Sequence, residues 1–321
     1  MPRFPWLVPL AAALFVAPVP SAVAQSRPDS SRISRVVHGL RGNVQVASRP
    51  LRTWSLTDRM AQFKVPAVSI AVIANGRIAW ARGFGVKETG TNDSVTAETL
   101  FQAASISKPV TATATMRLVA AGKLDLDTDV NQYLKSWRVP ANRFTETEKV
   151  TLRRLLGHTG GLTVHGFPGY AATAPVPTLV QILNGEKPAN TAAVRVDTTP
   201  GVLWRYAGGG TTVQQLLLTD QTGEPFPALM NRLVLAPIGM TRSTFEQPIP
   251  GSHRAGAARA HRGSGQMIPG RWHTYPEMAA AGLWTLQDDN LLHAVFLSQT
   301  HFDRFWPRRG DIATDIISPN G

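Results

Sequence analysis

Apolar residues change their spacing along this chain, and the changes mark its elements. Between Leu51 and Phe63 they recur at helical intervals, with Leu56, Met60 and Phe63 on one side. Ala67 to Ala74 and Arg77 to Val86 are β-rich, and only Asn75-Gly76 separates them. Both central positions of such a tight turn need positive φ, so Asn-Gly predicts a hairpin. A helix is then predicted from Ser105 through Ala120, with Pro109 tolerated in its first turn and Gly122 at its end. Shorter helices follow over Thr151 to Leu156, Thr178 to Leu183, Thr211 to Thr219, and Phe226 to Leu235, the last stopped by Pro237. A hairpin followed by a long helical region fits an α+β architecture better than alternating βα units.

The two ends read differently from the middle. Arg3 precedes an apolar run from Leu7 to Val19, and Ala22-Val23-Ala24 offers a small-x-small cleavage site. Residues 1–24 therefore read as a secretory signal, too short to span a bilayer comfortably, and export to a periplasm or beyond is expected. Stable membrane insertion after cleavage is not expected. Residues 25–50 are polar and are expected to form a flexible lead-in. The chain has no Cys, which excludes disulfides, thiol nucleophiles and thiolate metal sites together. Without residues 1–24 only Arg3 is lost, leaving 32 basic minus 21 acidic residues, or +11. That charge is scattered, with no dense basic run interleaved with aromatics, so nucleic-acid binding is not expected. The eight His residues lack HxxxH or HxH spacing, so neither a metal nor another cofactor is expected.

The candidate chemistry lies in Ser105-Ile106-Ser107-Lys108. Three residues of helix rise about 4.5 Å and make nearly one turn, so Ser105 and Lys108 share a face. A serine hydroxyl is a poor nucleophile until a base takes its proton. An amine in a dry pocket can lose its own proton and become that base. Such a pair arises by chance about once in a few hundred residues. A capping Ser with a solvated Lys one turn later is the plain alternative, so the motif needs support from its neighbours.

That support comes from several segments in order. After the Asn75-Gly76 hairpin and Ser105 to Lys108 come Leu155-Leu156-Gly157-His158-Thr159-Gly160-Gly161-Leu162 and Arg205-Tyr206-Ala207-Gly208-Gly209-Gly210. Ala236-Pro237-Ile238-Gly239-Met240 and the stretch from Pro276 to Trp284 complete them. From about Val65 to about Trp284 the chain resembles the serine β-lactamase and penicillin-binding-protein superfamily, in its class C β-lactamase-like branch. The resemblance implies an antiparallel sheet with flanking helices and a helical region, with the hydrolase domain over 51–285. It implies Ser105 as nucleophile, Lys108 as its activating partner and Tyr206 as a proton relay; a core aromatic is the alternative for Tyr206. Gly208 stands where the family often has Asn, which puts strict β-lactamase activity in doubt, and Gly208 and Gly209 become candidate substrate-binding positions. Gly208-Gly209-Gly210 reads as a tight turn rather than a phosphate loop. His158 reads as a structural hydrogen-bonding residue, because Lys108 already fills the base role.

The pattern breaks near the C-terminal end. The family's third motif, Lys-Thr-Gly or His-x-Gly, completes the oxyanion hole. His261-Arg262-Gly263 matches by letters but precedes the Pro276 to Trp284 stretch, so it reads as a loop. Residues 286–321 read as diverged or truncated, with a possible short helix around Leu291 to Leu297 and no evident strand pair. Missing strands would leave the hairpin face at Val68, Ile70 and Val72 uncovered. The expected function is a serine hydrolase forming an acyl-enzyme on an ester, a β-lactam or a D-alanyl peptide. Its partner would be a small-molecule or peptidoglycan-derived substrate. The alternatives are a catalytically impaired family member or a non-catalytic envelope-binding protein.

Overall fold

A computed structural model describes residues 30–286 apart from positions 43, 45, 75 and 76. The expected signal, the Asn75-Gly76 turn and the helix around Leu291 to Leu297 lie outside the described residues. The described chain begins with helix α1 (Ser30–Val37), strands β1 (Leu40–Arg41) and β2 (Thr53–Trp54), and helix α2 (Leu56–Phe63). The long strands β3 (Ala67–Ala74) and β4 (Arg77–Gly85) follow, then β5 (Phe101–Gln102) and helix α3 (Ser107–Ala120). Helices α4 (Leu152–Leu156), α5 (Leu179–Asn184), α6 (Gly208–Thr222), α7 (Phe226–Met230) and α8 (Met278–Ala281) form the helical region, before strand β6 (Trp284–Thr285). Among the described residues no helix is long and apolar enough to cross a membrane.

The expected lead-in over 25–50 contains short elements of secondary structure. Within 25–50, α1 places Ile33, Val36 and Val37 on its half-buried side, the i, i+3, i+4 spacing of an amphipathic helix. Strand β1 then pairs antiparallel with β2. The polar composition hid both short elements. Helix α2 starts later than the expected Leu51, because the Ser55 side chain caps it by accepting from the Asp58 N–H at 3.0 Å.

The hairpin forms as expected, in register from Ala67↔Gly85 to Ala74↔Arg77, with a bulge between Val72 and Ile73. The described strands, however, make three separate two-stranded antiparallel sheets instead of one. Neither β3 nor β4 has a further strand partner among the described residues, and Val68, Ile70 and Val72 are only half buried. The main apolar core lies among the helices instead. Leu152, Ile182, Leu217, Leu229, Met230 and Leu235 are fully buried. Each such side chain contributes about 1.5–3 kcal/mol by leaving water. A smaller cluster of Leu100, Ile249, Ala257, Trp284 and Leu286 sits behind β5 and β6.

Buried amides tie α3, α6 and α8 together. Gln215 Nε2 donates to the Pro276 carbonyl at 3.0 Å, while its Oε1 accepts from the Ala279 N–H at 2.9 Å. Gln214 Nε2 donates to Thr115 Oγ1 at 2.6 Å. These bonds satisfy polar groups that would otherwise each cost about 1–3 kcal/mol in the interior.

Several buried side-chain groups have no hydrogen-bond partner among the described residues, and one of them is a carboxyl group. Glu277, just before α8, is fully buried and neither carboxylate oxygen has a hydrogen-bond partner. Burial pushes its pKa up from 4.5 to about 7. The folded state therefore holds one more proton than the unfolded chain across that interval. The resulting stability is complete below pH 4.5 and is lost as pH rises through about 7, on the order of 3 kcal/mol. Glu277→Gln should remove this dependence. Urea melts at pH 5 and pH 8 should show a wild-type loss that the variant lacks; equal losses in both proteins would contradict the assignment.

Candidate active site

The chain cannot enter α3 directly at Ser105. Pro109 has no N–H to give to the Ser105 carbonyl four residues earlier, and its ring would clash there in an α-helix. Residues Ala104–Ile106 instead form a tighter 3₁₀ turn, and α3 begins at Ser107. Ala104 adopts φ +45°, a strained value for a residue with a side chain. This kink lifts Ser105 into the open, next to exposed Ile106. The expected helix start at Ser105 is thus a 3₁₀ turn two residues ahead of the α-helix.

Ser107, which the motif reading passed over, fixes that turn. It is fully buried, its hydroxyl donates to the Ala104 carbonyl at 2.6 Å, and it accepts from the Leu283 N–H at 3.0 Å. Ala103 N–H donates to the Leu283 carbonyl at 2.9 Å, while β5 pairs with β6. Thr111 Oγ1 adds a bond to the Ser107 carbonyl at 2.9 Å. The nucleophile's turn is therefore strapped to the segment running from α8 into β6.

Lys108 is brought to Ser105 as expected. Its Nζ donates to Ser105 Oγ at 3.1 Å and to the Ala280 carbonyl at 2.9 Å. The amine also lies 4.9 Å from the centre of the Tyr206 ring. Burial lowers the Lys108 pKa below that of an ordinary lysine, and interaction with the Tyr206 phenol opposes this more weakly. A neutral amine beside a serine hydroxyl can accept its proton.

Tyr206 is held by its neighbours on the chain. Arg205 forms an ion pair with Asp197, and its Nη2 also donates to the Gly161 and Leu162 carbonyls at 3.1 Å each. The guanidinium holds the Asp197 carboxyl below its ordinary pKa. The Arg205 N–H donates to the His158 carbonyl at 2.9 Å. His158 stacks against Tyr206, with ring centres 4.5 Å apart, and its Nδ1 accepts from the Ala207 N–H at 3.3 Å. Burial, with the charges of Lys108 and His165 nearby, lowers the His158 pKa to about 4. His158 is neutral at physiological pH and has the structural hydrogen bond expected of it.

Gly208 and Gly209 correct the sequence reading. They form the first turn of α6, not a turn before it, and both are buried. Their N–H groups donate to the His165 carbonyl at 3.0 Å and the Val164 carbonyl at 2.9 Å. Those donors are consumed by the protein and are not free for a substrate. His261 lies in a loop as expected, bridged to Met267, with its Nδ1 against the Arg259 carbonyl.

A Ser-x-x-Lys pair strapped between a long helix and a returning strand, with a tyrosine over the amine, defines a β-lactamase/transpeptidase-like fold. Residues 55–297 match the Beta-lactamase family, and the chain belongs to that family. The match runs past Thr285, where the sequence motifs fade. The chain is 28% identical over 218 residues to esterase EstB of Burkholderia gladioli, covering 65% of this chain and 54% of the esterase. It is 28% identical over 189 residues to a β-lactamase of Pseudomonas fluorescens, covering 59% of this chain and 48% of that enzyme. The chain thus spans about half the length of these curated relatives. The solved structure of EstCE1, a hydrolase with promiscuous acyltransferase activity, superimposes with a TM-score of 0.62 at 23% identity, covering 81% of this chain and 73% of EstCE1. A β-lactamase/D-alanine carboxypeptidase from Yersinia pestis superimposes with a TM-score of 0.57 at 22% identity, covering 80% and 69%. At these identities the two structures show the shared fold.

The buried amine makes a specific stability prediction. Lys108→Met keeps most of the length of the side chain but removes a polar amine whose charged form burial disfavours, so the melting temperature should stay level or rise. Labelling of Ser105 by a reactive phosphonate should fall at least 100-fold, within the range of a lost general base. A variant that labels at the wild-type rate would remove Lys108 from the chemistry.

Proposed function

We propose that this protein is an exported serine hydrolase that works through an acyl-enzyme on Ser105, with short-chain esters as its preferred substrates. The carrying observation is the 3.1 Å contact from Lys108 Nζ to Ser105 Oγ, made by an amine that burial biases toward neutrality. Lys108 takes the hydroxyl proton as Oγ attacks the ester carbonyl. The Ser105 N–H, in the first turn of the 3₁₀ segment where no intrahelical acceptor is available, is the candidate donor to the developing oxyanion. Tyr206, in contact with the amine, passes the proton to the leaving oxygen, and water then hydrolyses the acyl-enzyme.

Two observations favour an ester over a β-lactam. Gly208 supplies no side-chain amide for a substrate carbonyl, and its N–H is already bonded to the His165 carbonyl. Apolar side chains are exposed next to site residues: Ile106, beside Ser105 in the chain, is 44% exposed, and Trp204, which meets the His158 ring, is 49% exposed. Trp204 packs edge-on against His158 at 6.2 Å between ring centres, and His158 in turn stacks on Tyr206. An uncharged acyl chain suits those side chains. The esterase among the relatives supports the same choice. Export rests on the sequence of residues 1–24.

The test compares kcat/KM for p-nitrophenyl butyrate and a chromogenic cephalosporin. The ester should be preferred by at least tenfold, and Ser105→Ala should abolish both turnover and phosphonate labelling. Preference for the cephalosporin would restore the β-lactamase reading, and labelling that survives Ser105→Ala would move the nucleophile elsewhere.

A further inference from the structure

Residues 30–65 carry a surface unlike that of the rest of the chain. They contain seven Lys and Arg and one acid, Asp58, so they supply +6 of the chain's +12. No basic run is dense; the excess comes from the scarcity of acids between spaced arginines. Eleven large apolar side chains are exposed among the described residues, and five of them fall in this same stretch. These are Val44, at 82% the most exposed, with Val46, Leu51, Phe63 and Val65. Charge and apolar exposure are thus concentrated together, away in sequence from the segments that build the Ser105 site.

The fold joins these side chains through Trp54. Strand β1 pairs with β2, which returns the 42–52 loop to Trp54: a Cβ built on Gly42 would lie 3.7 Å from the Trp54 ring. The guanidinium carbons of Arg52 and Arg59 lie 5.2 Å and 4.9 Å from the centre of that ring. The Arg59 guanidinium is also 4.6 Å from the centre of the Phe63 ring, and its Nη1 donates to Gln62 Oε1 at 2.9 Å. Arg52, Trp54, Arg59 and Phe63 therefore form one row of alternating cations and rings, flanked in the chain by Leu51 and Val65. Contact with a ring holds each guanidinium without neutralising it. Helix α1, just before β1, has the same character. Ile33, Val36 and Val37 line one side, Arg32 and Arg35 lie outside it, and no residue of the helix is fully buried.

We infer that residues 30–65 form a docking surface for an anionic lipid bilayer, with the arginines on the headgroups and Val44, Val46, Leu51 and Phe63 entering the boundary beneath them. Two requirements meet only there. A soluble polyanion would use the cations and leave the apolar side chains in water. An apolar protein partner would bury those side chains but would have to match or desolvate a net charge of +6. A bilayer interface offers negative headgroups directly above an apolar layer, where basic amphipathic helices and Trp residues settle. Binding of this kind is peripheral. The inference stands apart from the hydrolase reading, since it uses none of the residues assigned to catalysis.

The test is co-sedimentation of the full chain with vesicles of phosphatidylcholine alone and of phosphatidylcholine with phosphatidylglycerol. The apolar run from Leu7 to Val19 is the same in every variant, so binding to the neutral vesicles measures its contribution. The wild type should bind the anionic vesicles about tenfold or more tightly than the neutral ones, and added salt should reduce that difference. Arg52→Gln with Arg59→Gln should weaken anionic binding by about tenfold or more, because each cation near such a surface is worth roughly fivefold. Leu51→Ser with Phe63→Ser should weaken it by about fivefold or more while the charge stays intact. Circular dichroism checks that each variant folds. If a pair unfolds, Arg52→Gln and Leu51→Ser alone, exposed in the loop between β1 and β2, make the same comparison with smaller shifts. Equal binding to both kinds of vesicle, or equal anionic binding by the wild type and the arginine variant, overturns the inference. So does heparin binding that matches vesicle binding and ignores the Leu51 and Phe63 changes, which would mark a site for a soluble polyanion. A dimer in sedimentation velocity that Leu51→Ser with Phe63→Ser dissolves, with vesicle binding unchanged, would put a second copy on this surface and overturn the inference as well.

Discussion

The arrangement of the site is governed by the removal of one amine from water. A lysine ammonium loses several kcal/mol of hydration on burial unless partners replace it. Around Lys108 the replacements are a backbone carbonyl from Ala280, the Ser105 hydroxyl and the Tyr206 phenol. No carboxylate among the described residues pairs with it. A carboxylate would hold the charge and keep the amine protonated, whereas neutral dipoles leave the deprotonated form within reach. The same burial that destabilises the ammonium thus creates the base.

The surrounding fold keeps that environment from relaxing. If α8 moved outward, water would reach the amine and its pKa would return toward the ordinary lysine value. Gln215 prevents this by bonding both to Pro276 before α8 and to Ala279 within it. Ser107 does the same on the other side, joining the nucleophile's turn to Leu283 after α8. Tyr206 is fixed by the Arg205–Asp197 pair and by the His158 ring. These restraints come from four separate stretches of the chain, and the helical core beneath them is where most apolar burial occurs.

The parts of this account that were legible in the sequence are local. The Asn75-Gly76 signal and β-rich flanks announced the hairpin, and the short helices expected from Thr151 and Thr178 occur there, with those two threonines as their caps. Ser105 and Lys108 could be paired because helical spacing puts them together. The 3₁₀ turn was also accessible, since Pro109 forbids an α-helical bond to Ser105, but a tolerated first-turn proline gave the opposite emphasis. The remainder depends on distant segments. A carbonyl such as that of Ala280 has no sequence signature. Gly208 and Gly209 looked like a turn because three glycines disfavour helix, yet close approach of residues 163–167 favours them there. His165 belongs to no motif, and only the fold brings it to Tyr206.

The central claim concerns the protonation of Lys108, and it can be read directly. Protein labelled with ¹³C at lysine Cε can be titrated by NMR, with the Lys108 signal identified by its absence from a Lys108→Met variant. The account predicts an apparent pKa clearly below the 10.4 of an unperturbed lysine. Titration at or above that value would show a charged, solvated amine and would contradict the account.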